Sequence, residues 1–420
     1  MRPYHRRPVV SPFLPDDEQL AAVRTALPAT GAGIYLNTGS LGPLPIDSHR
    51  AMLEMAEHEL RLGRATEDDH LDLDQRMDEA RAGVAAIVVA DPASIALTHA
   101  ASDGLNIAAW ALDWRAGDRV VTTRFEHAGG LGPLYTLRDR LGVQLVMVDL
   151  GDGGDDARSL RALDEAIVPG TRLVSVSHVA WTTGAVLPVA QITALAHARG
   201  AVVSIDGAQA VGAIPVDVGA IGADCYAIPA QKWLFGPAGM GALHVAPAFL
   251  DRARQTFAGA FSYAAHDLTG GARLHSSARR FEASGYHRPS VVGMARSLAW
   301  LSMFVGLDWI HRRGGALARA AADRLGSIPG VELVTPRHQM ATLVTFRIAG
   351  WPAEAALDEI GRRTFAILRT VPLLDALRIS VACFNTAAEI ERFAVAVELL
   401  AGHTPETLPP RPSLTMLGEG

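Results

Sequence analysis

An α/β fold is what this sequence predicts: a mostly parallel sheet with helices on both faces, followed by a small α+β domain. Three observations predict it. Short apolar runs rich in Val, Ile and Leu alternate with helical segments between residues 95 and 228. That alternation stops near residue 298, where strands and helices begin to follow one another in a different order. A length of 420 residues suits one large domain plus a smaller one.

The elements justify this in order. A Pro-rich start gives way to a helical stretch over Asp16 to Leu27, and residues 1–33 form an N-terminal segment. Ile34-Tyr35-Leu36 is a short strand entering a Gly- and Pro-rich turn, Asn37 to Pro45. Helices are expected over Asp47 to Gly63 and Leu71 to Ala86. Strands then fall at Ile95 to Thr98, Arg119 to Thr123, Gln144 to Val148, Arg172 to His178, Ala201 to Asp206 and Ala223 to Ile228. Helices lie between them at Ser102 to Leu112, Leu131 to Leu141, Leu160 to Ala166 and Val189 to Arg199. This spacing means a parallel sheet, with ligands bound beyond the carboxyl ends of its strands. The large domain is expected over 34–297, the small one over 298–403 and a loose tail over 404–420. In the small domain, strands are expected near Val331, Ala341 to Phe346, Ala366 to Arg369 and Leu377 to Val381, with helices at Pro352 to Arg363 and Ala387 to Leu400.

Bulk properties exclude several classes. Hydrophobic residues make up 49% and charged residues 20%, so the chain is globular. A net charge of −6, with scattered arginines, argues against nucleic acid as the main partner. Two cysteines, Cys225 and Cys383, give neither a disulfide framework nor a metal-ligand spacing. The most apolar long run, Val291 to Ile310, carries Arg296 and Asp308 and reads as a buried core helix, not a membrane span. No signal-peptide core follows the basic N-terminus, and a cytoplasmic protein is expected.

Lys232 is the only lysine, leaving 37 of the 38 basic residues as arginine. A shift toward arginine explains missing surface lysines but not one exception. Arginine keeps the charge, yet cannot readily lose its proton or act as an amine nucleophile. Lysine can, and Schiff-base formation with a carbonyl requires it. Lys232 stands between an apolar run and the glycine-rich turn Gly236-Pro237-Ala238-Gly239-Met240-Gly241. Asp206 ends a strand 26 residues earlier, and a carboxylate on a pyridine nitrogen is what an electron-sink cofactor needs. Alone, Asp206 reads equally well as a turn cap. Ser102 opens a helix, where free amides suit a phosphate but also suit an ordinary serine cap. His127 follows the next strand and is either a stacking ring or a loop histidine. Arg378, in a late strand, suits a substrate carboxylate or a salt bridge.

Together, Asp206-Gly207-Ala208-Gln209, the stretch Asp224 with Gln231-Lys232-Trp233-Leu234-Phe235-Gly236, the opening Tyr35 to Pro45 and the strand Leu377-Arg378-Ile379-Ser380 resemble one family. It is the class V aminotransferase group of pyridoxal 5′-phosphate (PLP) enzymes, fold type I, which includes cysteine desulfurases, isopenicillin N epimerase and related C–S lyases. The resemblance covers about residues 34–400. It implies that Lys232 forms the Schiff base with PLP and shuttles the Cα proton. Asp206 pairs with the pyridine nitrogen, and Gln209 reaches the ring oxygen. Ala101, Ser102 and Gln231 bind phosphate. His127 stacks on the ring, and either stops there or also serves as an acid–base group. Arg378 holds an amino-acid carboxylate. A homodimer is implied, and Arg280 to Gly285 resembles the segment that reaches a partner's phosphate. No metal is implied.

The chain departs from the family's pattern at several positions. Gln231 replaces a common histidine, Pro229 a serine, Trp181 an asparagine and Ala100-Ala101 a Gly-Thr-like pair. Between Arg369 and Arg378 there is no thiol, so a cysteine desulfurase is not expected. The expected reactions are epimerisation or C–S lysis of an amino acid, with transamination, or cofactor binding without turnover, as alternatives. Tyr35, Trp181, Tyr286 and His287 are candidate walls for the substrate.

Overall fold

A computed structural model describes residues 14–410. The Pro-rich start and the end of the expected tail, 411–420, lie outside the described residues. The helices are α1 (Asp16–Ala26), α2 (Ile46–Leu62), α3 (Glu67–Val88), α4 (Ala101–Trp110), α5 (Ala128–Leu141), α6 (Asp156–Ala166), α7 (Val189–His197), α8 (Val218–Ile221), α9 (Pro247–Leu250), α10 (Arg288–Ala299), α11 (Leu307–Gly326), α12 (Ala353–Thr364) and α13 (Ala387–Ala401).

Seven strands form the main sheet: β2 (Ile95–Thr98), β3 (Arg119–Thr123), β4 (Gln144–Val148), β5 (Thr171–Ser177), β6 (Val202–Asp206), β7 (Cys225–Pro229) and β8 (Gly241–Val245). A two-residue strand, β1 (Ile34–Tyr35), precedes them. The order across the main sheet is β2-β8-β7-β6-β5-β3-β4. From β7 to β4 every pair is parallel, as the alternating pattern requires. β5, β6 and β7 are buried at nearly every residue, so both their faces are covered, whereas β4 at the edge is only partly buried.

β8 was not legible as a strand. It is Gly-initiated, short and antiparallel to both neighbours. It forms because the glycine-rich turn after Lys232 returns the chain beside β7.

A hairpin of β9 (Tyr263–His266) and β10 (Ala272–Leu274) follows. The second sheet is antiparallel: β11 (Val331–Leu333), β12 (Leu343–Ile348), β15 (Ala376–Ser380) and β14 (Arg369–Val371), in that spatial order. The expected strand Ala366 to Arg369 is divided. Its first part, β13 (Ala366–Ile367), pairs in parallel with β1, and the chain turns before β14 joins the second sheet. Ile34 and Leu36 are therefore buried with Val344, Phe346 and Phe393.

The apolar run at 291–310 is not one helix. α10 ends in a π-helical turn, Trp300–Val305, and Gly306 adopts φ +89°. α11 then leaves at 83°. A wide turn followed by a residue in the left-handed region breaks the i→i+4 ladder, which periodicity alone does not reveal. Among the described residues no single helix is long and apolar enough to cross a membrane.

One buried ion pair ties the layers together. Glu282, fully buried, accepts from Arg81 Nε at 2.8 Å and Nη2 at 2.7 Å, and from Leu97 N at 2.8 Å. Glu282→Ala would remove the buried, two-pronged partner of the Arg81 guanidinium and leave it only the exposed Asp78 carboxylate. The expected loss in denaturant unfolding is about 3–5 kcal/mol, and a loss below ~1 kcal/mol would contradict this role.

Candidate active site

The lysine loop is shaped by close backbone approach. Ala230 N donates to Met240 O at 3.0 Å and Gly236 N to Ala230 O at 2.8 Å, which closes the turn between β7 and β8. The 37–45 turn lies against it, with Gly42 N donating to Gln231 O at 2.8 Å. A Cβ on Gly42 would meet Lys232 O at 2.2 Å, so only glycine fits there.

Lys232 opens into a cavity of about 260 Å³ beyond the carboxyl ends of β5, β6 and β7. Ala101, Ser102, His127, Asp206, Gln209, Gln231 and Arg378 line the same cavity, so all eight site residues expected from sequence converge there. Trp181 lines it too, as expected, whereas Tyr35, Tyr286 and His287 are not among its lining residues. A larger groove of about 1090 Å³ lies between α2, α3 and α10, but its lining includes no lysine.

Burial pushes the Lys232 amine down to about 8; Asp206 opposes this, and Arg378 and Arg369 add to it. The neutral form, which a nucleophile needs, is therefore about a tenth of the amine at pH 7, far more than an ordinary lysine supplies, and it predominates above about pH 8. Asp206 ends β6, and its Oδ1 accepts from Ala208 N at 2.9 Å. Gln209 Nε2 donates to Gly39 O at 2.8 Å, and its Oε1 accepts from Trp233 Nε1 at 2.9 Å. Much of its amide is thus committed to fixing the 37–45 turn and the lysine loop.

At the other end, α4 begins at Ala101, and its N-cap Ala100 offers no side-chain cap, so the amides of Ala101 and Ser102 keep their donor capacity, while Asp103 N donates to Ala100 O at 3.1 Å. The Asp103 carboxylate turns back to accept from His99 N at 3.0 Å. Gly129 keeps space beside Ser102, whose Oγ would lie 2.3 Å from an added Cβ. Gln231 Oε1 is buried without a hydrogen-bond partner.

His127 N-caps α5. Its Nδ1 accepts from Gly129 N at 3.1 Å, so in the neutral ring the proton sits on Nε2. Burial, with Lys232 nearby, lowers its proton affinity. Its edge meets the Trp181 ring, with centroids 5.6 Å apart at 83°.

Arg378, with no exposed surface, donates from Nη1 to Trp181 O at 2.8 Å, while its Nε and Nη2 have no partner. A buried guanidinium with two idle donors and no paired acid has the geometry to accept a carboxylate on two prongs. The sequence reading missed a second cation. Arg369 on β14 is the cross-strand partner of Arg378 on β15. Both guanidinium carbons stand over the Trp181 ring, at 5.4 and 6.0 Å. Like charges directly opposite in a sheet are destabilising, so stability does not explain the pair. Only the register of the late strands could have revealed Arg369.

An unpaired amine, a buried aspartate at the sheet edge and an uncapped helix start, arranged around one cavity, fit PLP. Comparison with known proteins agrees. The model of the aminotransferase class V family matches residues 48–393. A probable cysteine desulfurase of Methanothermobacter thermautotrophicus is 29% identical over 398 residues, 90% of this chain and 98% of the relative. A cysteine desulfurase of Enterobacter sp. is 30% identical over 342 residues, 77% and 82% of the two chains. Among solved structures, the complex of the cystine C–S lyase C-DES with its reaction product cysteine persulfide superposes with a TM-score of 0.83 at 25% identity, covering 90% of this chain and all of the other. A lysine variant of C-DES, with glycine covalently linked to the PLP cofactor, gives a TM-score of 0.84 at 24% identity, covering 89% and 98%.

These relatives overturn one expectation. The missing thiol between Arg369 and Arg378 was read as excluding a cysteine desulfurase, yet relatives so named align across most of the chain. The inference had assumed that sulfur must pass to a protein thiol. A C–S lyase whose product is itself a persulfide shows that sulfur can leave on a small molecule. By the family match, which spans most of its length and contains every residue of the cavity singled out above except those of the 37–45 turn, this chain belongs to the class V aminotransferase family, and its cofactor is pyridoxal 5′-phosphate.

Proposed function

We propose that this enzyme breaks the Cα–H and then the Cβ–S bond of a sulfur amino acid carrying a second carboxylate, of the cystine type. The observation that carries this reading is the opposed pair Arg369 and Arg378 in one cavity. Bound PLP supplies the electron sink that stabilises negative charge at Cα. Arg378, through its unpartnered Nε and Nη2, takes the α-carboxylate in a two-pronged contact. Arg369, on the other strand, takes the distal carboxylate. Lys232, as a neutral amine, accepts the Cα proton. Asp206 keeps the pyridine nitrogen protonated, and the first amides of α4, with Ser102 and Gln231, hold the phosphate.

His127 bears on the choice of reaction. Racemising Cα needs an acid on one face and a base on the other. With Nδ1 engaged as a helix cap and Nε2 already protonated, His127 stacks and donates; it does not act as a base. One base, Lys232, suffices for elimination, so the arrangement favours C–S lysis over epimerisation. The relatives' activities, desulfuration and cystine lysis, are also C–S cleavages. The balanced reaction is cystine plus water giving cysteine persulfide, pyruvate and ammonia. A second copy of the chain is the expected partner, as the resemblance of Arg280 to Gly285 implies; Ser284 and Gly285 in that segment are exposed.

Proton NMR of cystine with the holoenzyme in deuterated water tests the reading. Pyruvate and persulfide in equal amounts are expected. Inverted Cα without pyruvate would make the enzyme an epimerase, and a keto acid with aminated cofactor would make it a transaminase. Either result overturns the proposal.

A further inference from the structure

Glu126 stands one residue before His127 and is buried. Its carboxylate accepts from Thr123 Oγ1 at 2.6 Å, Ser177 N at 3.1 Å and Ser177 Oγ at 2.7 Å. Thr123 is the last residue of β3, and Ser177 is the last of β5. Ser177 is also the register partner of Asp206 on β6. The β3–β5 ladder, however, stops at Thr122↔Ser175. Beyond that point no backbone pairing joins the segment bearing His127 to the strands bearing Asp206, and the Glu126 side chain spans the gap.

The carboxyl is a costly way to span it. Burial pushes Glu126 up to about 7; its hydrogen bonds to Thr123 and Ser177 oppose this, and the charge of Asp206 adds to it. A buried acid beside another acid is poor packing material, which argues that its hydrogen-bonding geometry is what is retained.

We propose that Glu126 is a positioning residue: it clamps the end of β3 to the end of β5, so that the ring of His127, which would stack on the cofactor, and the carboxylate of Asp206, which would meet its ring nitrogen, are set relative to each other. The proposal depends on the cofactor assignment and not on which reaction follows. Two aromatic or charged groups that must hold one planar ring need a fixed separation, and a loop leaving a parallel strand provides none by itself. Glu126 is outside the cavity lining, so its effect reaches the ring only through these neighbours.

The test uses Glu126→Gln, Glu126→Ala and Thr123→Ala in the full chain. Three quantities are read: the PLP dissociation constant by absorbance titration, the visible circular dichroism of the bound cofactor, and the thermal midpoint of the apo protein. Glutamine can still accept from Thr123 Oγ1 and Ser177 N and donate to Ser177 Oγ. It is expected to stay within about threefold of the parent and to keep the dichroic band. Glu126→Ala is expected to weaken PLP about tenfold or more and to lose most of the band, because the ring is no longer held in one orientation. If Glu126→Ala fails to fold, Thr123→Ala, which removes one of the three bonds at a residue outside the cavity lining, carries the test with a smaller shift in the same two readouts. Two results overturn the proposal: a dichroic band and PLP affinity unchanged in the folded alanine variants, or Glu126→Gln as damaging as Glu126→Ala. Absence of PLP binding in the parent protein would instead sink the cofactor assignment.

Discussion

Replacing Lys232 by arginine is expected to lower turnover on the order of 10³-fold or more, because in the proposed reaction one group supplies both the amine and the base. The substitution retains positive charge and most of the bulk, so electrostatics alone would predict a mild effect. The guanidinium can neither form the imine nor accept the Cα proton. The visible absorption of bound cofactor should vanish with activity. A pH dependence follows with a definite sign. Burial brings the Lys232 amine down to about 8, so the nucleophilic form is lost as pH falls below that value. The rate at which apo protein takes up PLP should therefore rise with pH and level off above about 8. A rate still climbing steeply near the ordinary lysine range, about 10.4, would mean that the amine is not enclosed as described.

The second large effect is expected at Arg378. Arg378→Met removes a two-pronged charged contact and should reduce kcat/KM on the order of 10²–10³-fold, mostly through KM. Arg378→Lys should recover little, since an ammonium cannot reproduce the planar fork. Apo stability distinguishes a functional from a structural arginine. Arg378 is buried without an acid partner and faces Arg369 across the strand pair, so its removal should leave the apo midpoint unchanged or raised. Arg369→Met should weaken cystine about tenfold or more yet change β-chloroalanine little, because that elimination substrate has a single carboxylate. Equal losses on both would contradict a distal-carboxylate role.

The large sheet was legible because its five parallel strands read as short, mostly apolar runs separated by helices, the central ones buried on both faces. β8 escaped because its start is glycine and its pairing is long-range. Lys232 stood out by composition, and Asp206 by its place at a strand end. Arg369 was invisible because its meaning lies in facing Arg378 across a β-ladder, a relation that separation along the chain does not encode. Glu126 was hidden for a similar reason: its partners Thr123 and Ser177 come from two different strands. The mistaken exclusion of desulfuration had another origin. It rested on chemistry, and one assumed route for sulfur was taken as the only route.

Borohydride reduction of the holoenzyme followed by peptide mass spectrometry tests the central claim most directly. A pyridoxyl adduct on the peptide containing Lys232, and on no other, is the predicted result. An adduct on the N-terminal amine alone, or none in protein that has visibly bound the cofactor, would contradict it.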